Sequence, residues 1–271
     1  MRASKWLACI GIIIMLLAGG AAQSEDFPHK RGVELRGSYS LYMNDSDPNA
    51  FVQSFAGTAA QSSFTETSGA LGGGISFLMK SAPYFSWHVG LNVMGQDSAT
   101  AEGLGMNGQD VSARVFINTV ELFLTANYYW LIAPRFNLQF GAGPAFYMSS
   151  LDREVTGTYL GQSGSSMSFF GAHGRSFGFL GDVGAEFFLT PAISLRAGGG
   201  YRFAPVSRFK YFREISTTEG RSNEGLIAYW PSADPNNPTY NTFEADFSGP
   251  FAMVGLRVYF EPAADWNPYD E

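Results

Sequence analysis

The sequence predicts an all-β protein: an eight-stranded antiparallel transmembrane β-barrel with short turns at one end and long loops at the other. Three observations carry this. The 271 residues include 32 Gly, 24 Phe and 13 Tyr but only 15% charged residues, against about 25% in an ordinary soluble domain, while the mean hydropathy stays close to zero. Stretch after stretch alternates apolar with polar or small residues, the period-two signature of a two-faced strand. Beyond Ala22, no apolar run reaches the roughly 18 residues that a membrane helix needs. A chain of this kind enters lipid as strands, and the strands must close on themselves because an open edge leaves amides unsatisfied in hydrocarbon.

The first element is an export signal. Arg2 and Lys5 precede the apolar run Cys9 to Leu17, small residues 18–22 follow, and Gln23 opens a polar stretch. This order predicts a secretory signal over residues 1–22, cleaved after Ala22. Cleavage removes the only cysteine, two of the 17 basic residues and none of the 24 acidic ones. The mature chain then has no thiol chemistry, and its acidity argues against nucleic acid as a partner. Residues 23–31 form an N-terminal periplasmic segment, 32–260 the barrel and 261–271 an acidic tail.

The strands follow in order. The first puts Val33, Leu35, Tyr39 and Leu41 on one face and Glu34, Arg36, Ser38 and Ser40 on the other. The second spans Leu71 to Lys80, with Leu71, Ile75, Phe77 and Met79 on its apolar side. The third is the cleanest, with Phe85, Trp87, Val89, Leu91 and Val93 against Ser86, His88, Gly90 and Asn92. The fourth sets Val120, Leu122, Leu124, Ala126, Tyr128 and Trp130 against Thr119, Glu121, Thr125 and Asn127. The fifth opposes Phe136, Leu138, Phe140, Ala142 and Phe146 to Asn137, Gln139, Gly141, Gly143 and Tyr147. The sixth opposes Phe177, Phe179, Val183, Ala185, Phe187 and Leu189 to Gly178, Asp182, Gly184 and Glu186. The seventh opposes Ile193, Leu195, Ala197, Tyr201 and Phe203 to Ser194, Arg196, Gly198, Gly200 and Arg202. The last opposes Ala252, Val254, Leu256, Val258 and Phe260 to Gly255, Arg257 and Tyr259. Small residues on the polar face suit the crowded inside of a narrow barrel.

Three short connections repeat one pattern, at Pro83, Pro134 and Pro191, each a tight proline turn followed by apolar, polar, apolar. Proline fixes φ and donates no hydrogen bond, so it belongs at turns. The other connections are long: Asn44 to Ser68, Asp97 to Ser112, Ser150 to Gly174 and Pro205 to Asp246. Short and long turns alternate, as in outer-membrane barrels with short periplasmic turns and longer external loops. A ten-stranded barrel that recruits Ala50 to Ala56 and Met167 to Phe170 is the structural alternative. A soluble secreted β-barrel, with the Phe, Leu and Val faces inward, is another.

With the signal peptide, eight strands, the segment Gly141 to Tyr147 and the last strand Phe251 to Phe260, the chain resembles the small Gram-negative outer-membrane β-barrel proteins of the OmpA/OmpX/OmpW-like type. The resemblance implies an outer-membrane location, lipid as surroundings, and insertion by the barrel-assembly machinery. That machinery would read a carboxy-terminal signal in which Gly255, Val258 and Phe260 take the expected places. The family ends at the terminal aromatic; here the acidic tail follows. A fold of this kind does not fix a function.

The inward face gathers Glu34, Arg36, Lys80, Glu121, Asp182, Glu186, Arg196, Arg202 and Arg257. A turn centred on Pro191 puts Glu186 across from Arg196, and barrel closure brings Glu34 near Arg257. An eight-stranded interior is just wide enough for side chains to fill, so these charges read as an ion-pair network plugging the bore. A narrow channel for small or amphipathic solutes is the alternative. The histidines His29, His88 and His173 give no metal spacing. A loop-borne enzyme would need His173 set on a nearby serine. No cofactor is expected. The last long loop carries Phe209, Tyr211, Tyr229, Trp230 and Tyr240, a candidate surface for an external ligand or host surface. The expected role is structural or surface-interacting, with a mostly plugged lumen.

Overall fold

A computed structural model describes residues 29–41, 61–65, 69–96, 99–104, 110–156, 167–206, 209–211, 229–231, 240–242 and 245–260. The expected signal peptide, the acidic tail, Ala50 to Ala56 and most of the long loops lie outside the described residues. No helix among the described residues is long and apolar enough to cross a membrane.

Eight long strands make the wall: β1 Arg31–Leu41, β2 Gly69–Ala82, β3 Phe85–Gln96, β4 Asp110–Ala133, β5 Phe136–Thr156, β6 Met167–Thr190, β7 Ile193–Phe203 and β8 Gly249–Tyr259. Each pairs antiparallel with its sequence neighbour, and β8 pairs with β1, from Gly32 opposite Tyr259 to Ser40 opposite Phe251. The chain is a closed eight-stranded antiparallel β-barrel. Closure removes both sheet edges, which is what lets every wall amide find a partner without water.

The three repeated proline turns build one local geometry. Just before each, the register slips by a residue, at Lys80/Ala82, Leu131/Ala133 and Phe188/Thr190. An extra residue there adds twist and lets the strand end without a ladder bond. At the third turn the Thr190 hydroxyl accepts from the backbone N–H groups of Ala192 (3.3 Å) and Ile193 (3.0 Å).

At the other end the wall is uneven. β4, β5 and β6 run 24, 21 and 24 residues, while β7, β8 and β1 run 11 each. A membrane-crossing strand needs only about 9–11, so three strands continue well beyond any lipid belt. Two long connections expected after Asp97 and Ser150 are therefore mostly ladder, with Arg114 opposite Glu154 and Val155 opposite Met167. Period-two alternation fades in these extensions although backbone pairing continues. Met167 to Phe170, which a ten-stranded barrel would recruit, belongs to β6. Shorter strands extend this side: Gln61–Thr65 pairs with Ala99–Leu104, which pairs with β4.

The two faces are inverted relative to a soluble protein. Outside, Leu71, Phe177 and Val254 are 69%, 79% and 65% exposed, amid a belt of exposed Leu, Val, Ile, Phe, Tyr and Trp. Inside, Glu34, Glu121, Glu186, Arg202 and Arg257 are buried. The apolar faces point outward, which is the reverse of what a soluble barrel requires.

Candidate functional site

The bore is the best-defined site, and all eight strands contribute to it. Near the short-turn end, Glu34 on β1 accepts from Arg257 Nε at 2.5 Å and from Arg196 Nη1 at 3.4 Å. Arg257 also donates through Nη2 to Gln139 Oε1 (2.7 Å). Its Nη1 lies 3.2 Å from Glu186 Oε2, an ion pair whose alignment falls short of a hydrogen bond. Glu186 Oε1 accepts instead from Ser194 and Tyr259 hydroxyls, each at 2.6 Å. Arg196 Nη2 binds Asp182 Oδ1. Lys80 stands over the Tyr129 ring, 4.8 Å from its centre.

Further up, Glu121 on β4 is the hub. Its carboxylate accepts from Arg202 Nε (2.8 Å), Arg202 Nη2 (3.3 Å), the Tyr147 hydroxyl (3.0 Å) and Asn92 Nδ2. Arg202 Nη1 reaches Ser40 at 2.7 Å. Arg36 donates from Nε to Asn92 Oδ1 (2.8 Å), with its guanidinium 4.0 Å above the Phe123 ring. Other polar groups fill the remaining wall: His88 Nε2 contacts Ser86 Oγ (2.9 Å) and Tyr129 Oη (3.1 Å), and Gln139 donates to Asn127 Oδ1 at 2.6 Å. Hydrogen-bonded ion pairs are what permits charge to sit out of bulk water.

The structure brings all nine sequence-selected charges into the bore. The register puts Glu186 opposite Arg196 and Glu34 opposite Arg257. The second pair bonds directly. In the first, Arg196 turns to Asp182 and Glu34, while Arg257 takes Glu186. A long guanidinium in a narrow bore reaches beyond its ladder partner, so opposition in register does not settle pairing.

Buried side chains cluster at both ends of the bore. At the short-turn end His29, with φ 63°, folds its ring against Phe188 and Tyr259 at 4.7 and 4.8 Å between ring centres. Its Nε2 lies 2.7 Å from the Pro191 carbonyl oxygen. Burial, with Lys80 nearby, holds this imidazole below its ordinary pKa of 6.5. Leu78, Phe188 and Tyr259 cluster beside it. At the long-loop end the chain turns inward after β7. Pro205–Val206 pairs with Ala245–Asp246, and Ala204, Val206, Phe209 and Phe247 are buried. Gly174 makes room for this cap: a Cβ there would meet Val206 Cγ1 at 2.6 Å and the Phe209 ring at 3.2 Å.

Phe209, placed by sequence on an exposed binding surface, is thus corrected: it is 0% exposed and part of the stopper. An aromatic in a proline-rich loop gives no sign of which way it folds. Tyr211 pairs with Ala172 on β6, and Tyr229–Pro231 forms a ladder with Tyr240–Thr242 that brings Trp230 beside Asn241. Of the proposed assembly residues, Gly255 leaves room for Glu34, whose Cγ lies 3.2 Å from where its Cβ would stand, and Val258 and Phe260 face outward. His173 is exposed, with Ser150 opposite it on β5; the side chains of Ser166 and Ser168 lie outside the described residues.

Sequence reading passed over Phe123, Tyr129 and His29. Strict alternation from Glu121 to Asn127 does place Phe123 and Tyr129 inward; their apolar bulk hid the signal. His29 precedes the first periodic residue, so nothing in its surroundings marks it.

No protein-family model and no curated protein matches the chain. Among solved structures it is similar in fold to the outer membrane protein OprG from Pseudomonas aeruginosa, at 11% identity and a TM-score of 0.45, over 86% of this chain and 97% of that one. Neisserial surface protein A matches at 13% identity and a TM-score of 0.38, over 87% and 100%. The E. coli outer membrane protein W matches at 11% identity and a TM-score of 0.34, over 87% and 100%.

Proposed function

We propose that this chain is a Gram-negative outer-membrane protein whose barrel is closed to solutes and whose role is structural or surface-interacting. The observation that carries the reading is the inversion of the wall: a continuous exposed apolar exterior around an interior of buried, mutually bonded charges. Lipid is the solvent in which such an exterior is stable. A bore whose arginines and carboxylates are nearly all engaged, and whose two ends are stoppered, offers solutes no continuous wet path.

On this reading residues 1–22 direct export, and the assembly machinery reads the final strand through Gly255, Val258 and Phe260. The tall β4–β6 side lifts its tips away from lipid, toward external ligands or host surfaces. Tyr211 and the ladder bearing Tyr229, Trp230 and Tyr240 are the candidate contact elements.

The test has two parts. Mature protein refolded in detergent is run on a gel with and without boiling; a mobility shift is expected from a closed barrel that resists detergent. The same preparation in planar bilayers is expected to show no steady conductance. A protein soluble without detergent overturns the membrane assignment, and a stable ion conductance makes the protein a channel.

A further inference from the structure

The acidic tail has no part in the function proposed above, and the short-turn end of the barrel carries the opposite charge. Residues 261–271 lie outside the described residues; their sequence holds four carboxylates, Glu261, Asp265, Asp270 and Glu271, and no basic residue. At the short-turn end Lys30 precedes β1, Arg31 opens it, and Arg135 sits in the turn between β4 and β5. All three are half-buried. The described carboxylates nearest this end, Glu34 and Glu186, are both buried inside the bore. The long-loop end differs, because charges of both signs mix there, as where Arg114 faces Glu154.

The chain beyond Phe260 sets out from among these cations, since the Phe260 N–H donates to the Arg31 carbonyl at 2.9 Å. Arg135 belongs to the far side of the same mouth. The β8–β1 junction and the β4–β5 turn are four strands apart in a ring of eight. Eight strands about 4.8 Å apart, tilted by roughly 40°, enclose a ring roughly 16 Å across. Residues 261–271, fully extended, reach at most about 36 Å, so the crossing is within range. Inside this mouth His29 packs on Phe188 and Tyr259, and the Phe188 N–H donates to the Arg135 carbonyl at 2.9 Å.

We propose that residues 261–271 dock across the short-turn mouth, with their carboxylates on Lys30 and Arg31 at one side and Arg135 at the other. Single surface ion pairs are weak. Attachment to β8 makes the association intramolecular, at an effective concentration in the millimolar range, so weak pairs acting together suffice. The inference rests on the closed barrel and not on the membrane that surrounds it, so it stands or falls separately from the proposed function.

The test uses a carbodiimide, which joins a carboxylate to an amine only where the two meet. Beyond residue 22 the chain has three lysines: Lys30 at the short-turn end, Lys80 inside the bore and Lys210 at the long-loop end. Protein of residues 23–271 refolded in detergent is treated, and the monomer band is digested and read by mass spectrometry. Links from Asp265, Asp270 or Glu271 to Lys30 are expected, with none to Lys210. Glu261 is not scored, because the chain itself holds it close. At about 1 M sodium chloride, where the screening length is about 3 Å, the links are expected to fade. Arg31→Gln/Arg135→Gln leaves Lys30 in place and is expected to lower their yield by roughly three- to ten-fold. Absence of the links overturns the proposal. So does a yield that neither salt nor the double variant changes, or one that is equal at Lys210. Links that form in detergent but vanish in phosphatidylglycerol vesicles assign this end to lipid headgroups and refute the docking as well. Should the double variant lose its heat-modifiable mobility, Arg135→Gln alone decides by the same yield.

Discussion

Replacing Arg257 by methionine keeps an unbranched, flexible apolar stem but removes the guanidinium, with its charge and five N–H donors. Three contacts disappear: Glu34 at 2.5 Å, Glu186 at 3.2 Å and Gln139 at 2.7 Å. Glu34 keeps only Arg196 at 3.4 Å, and Glu186 keeps two hydroxyls but loses its guanidinium. Removing one partner of a buried pair strands the other charge and costs about 3–5 kcal/mol. Arg257 serves two carboxylates, so the upper part of that range applies. Adding Glu186→Gln removes one of the stranded charges, so the double variant should recover part of the loss, with a coupling of about 1–3 kcal/mol. The assay is equilibrium urea unfolding in lipid vesicles, read by the fraction that keeps folded gel mobility. A destabilisation of Arg257→Met under about 0.5 kcal/mol, the range of an ordinary surface change, would show that water reaches these carboxylates. The closed bore, and the function built on it, would then be refuted.

Two further expectations follow from the wall and its stopper. Val254 lies outward at mid-height on β8, opposite Gly37; Val254→Arg should cost about 2–4 kcal/mol in vesicles, and Phe177→Arg near the rim only about 0–1 kcal/mol, so equal costs in an unfolding titration would contradict the lipid-facing belt. His29 is held neutral below its ordinary pKa of 6.5; the unfolded imidazole takes its proton first, so its stabilisation is present above pH 6.5 and lost as pH falls through the lowered value. Hydrogen exchange of the Tyr259 amide, which bonds the Ala192 carbonyl at 2.8 Å, should therefore speed up as pH drops from about 7 to about 5 relative to the intrinsic rate, and His29→Gln should abolish that change.

The strands of the wall were readable because a wall with an apolar outer face and a polar inner face enforces alternation. β1, β3, β7 and β8 match the period-two runs almost residue for residue, since every second side chain must be apolar there. The same constraint made the charged set readable: an Arg or Glu inside an otherwise alternating run can only face the bore. Illegible were features set by no such constraint. The extensions of β4–β6 do not keep the two-faced alternation, so Arg114, Asp152 and Glu154 sit in a ladder that looks like loop. Which carboxylate Arg196 chooses depends on the reach of its side chain in three dimensions, and the packing of Val206 and Phe209 depends on the absence of a Cβ at Gly174, on a different strand.

The bond between Glu34 and Arg257 joins residues 223 positions apart. It can form only when the last strand meets the first, which makes it a check on how the ring is joined. Sliding β8 by one residue against β1 would turn Arg257 out of the bore, because side chains alternate faces. Sliding it by two the other way would set Arg257 opposite Arg36 and strand Glu34, placing like charges face to face where they repel. The observed register sets Arg257 opposite Glu34 and leaves Arg36 opposite Gly255. A barrel joined two residues out in that direction would carry its error as a repulsion between buried like charges.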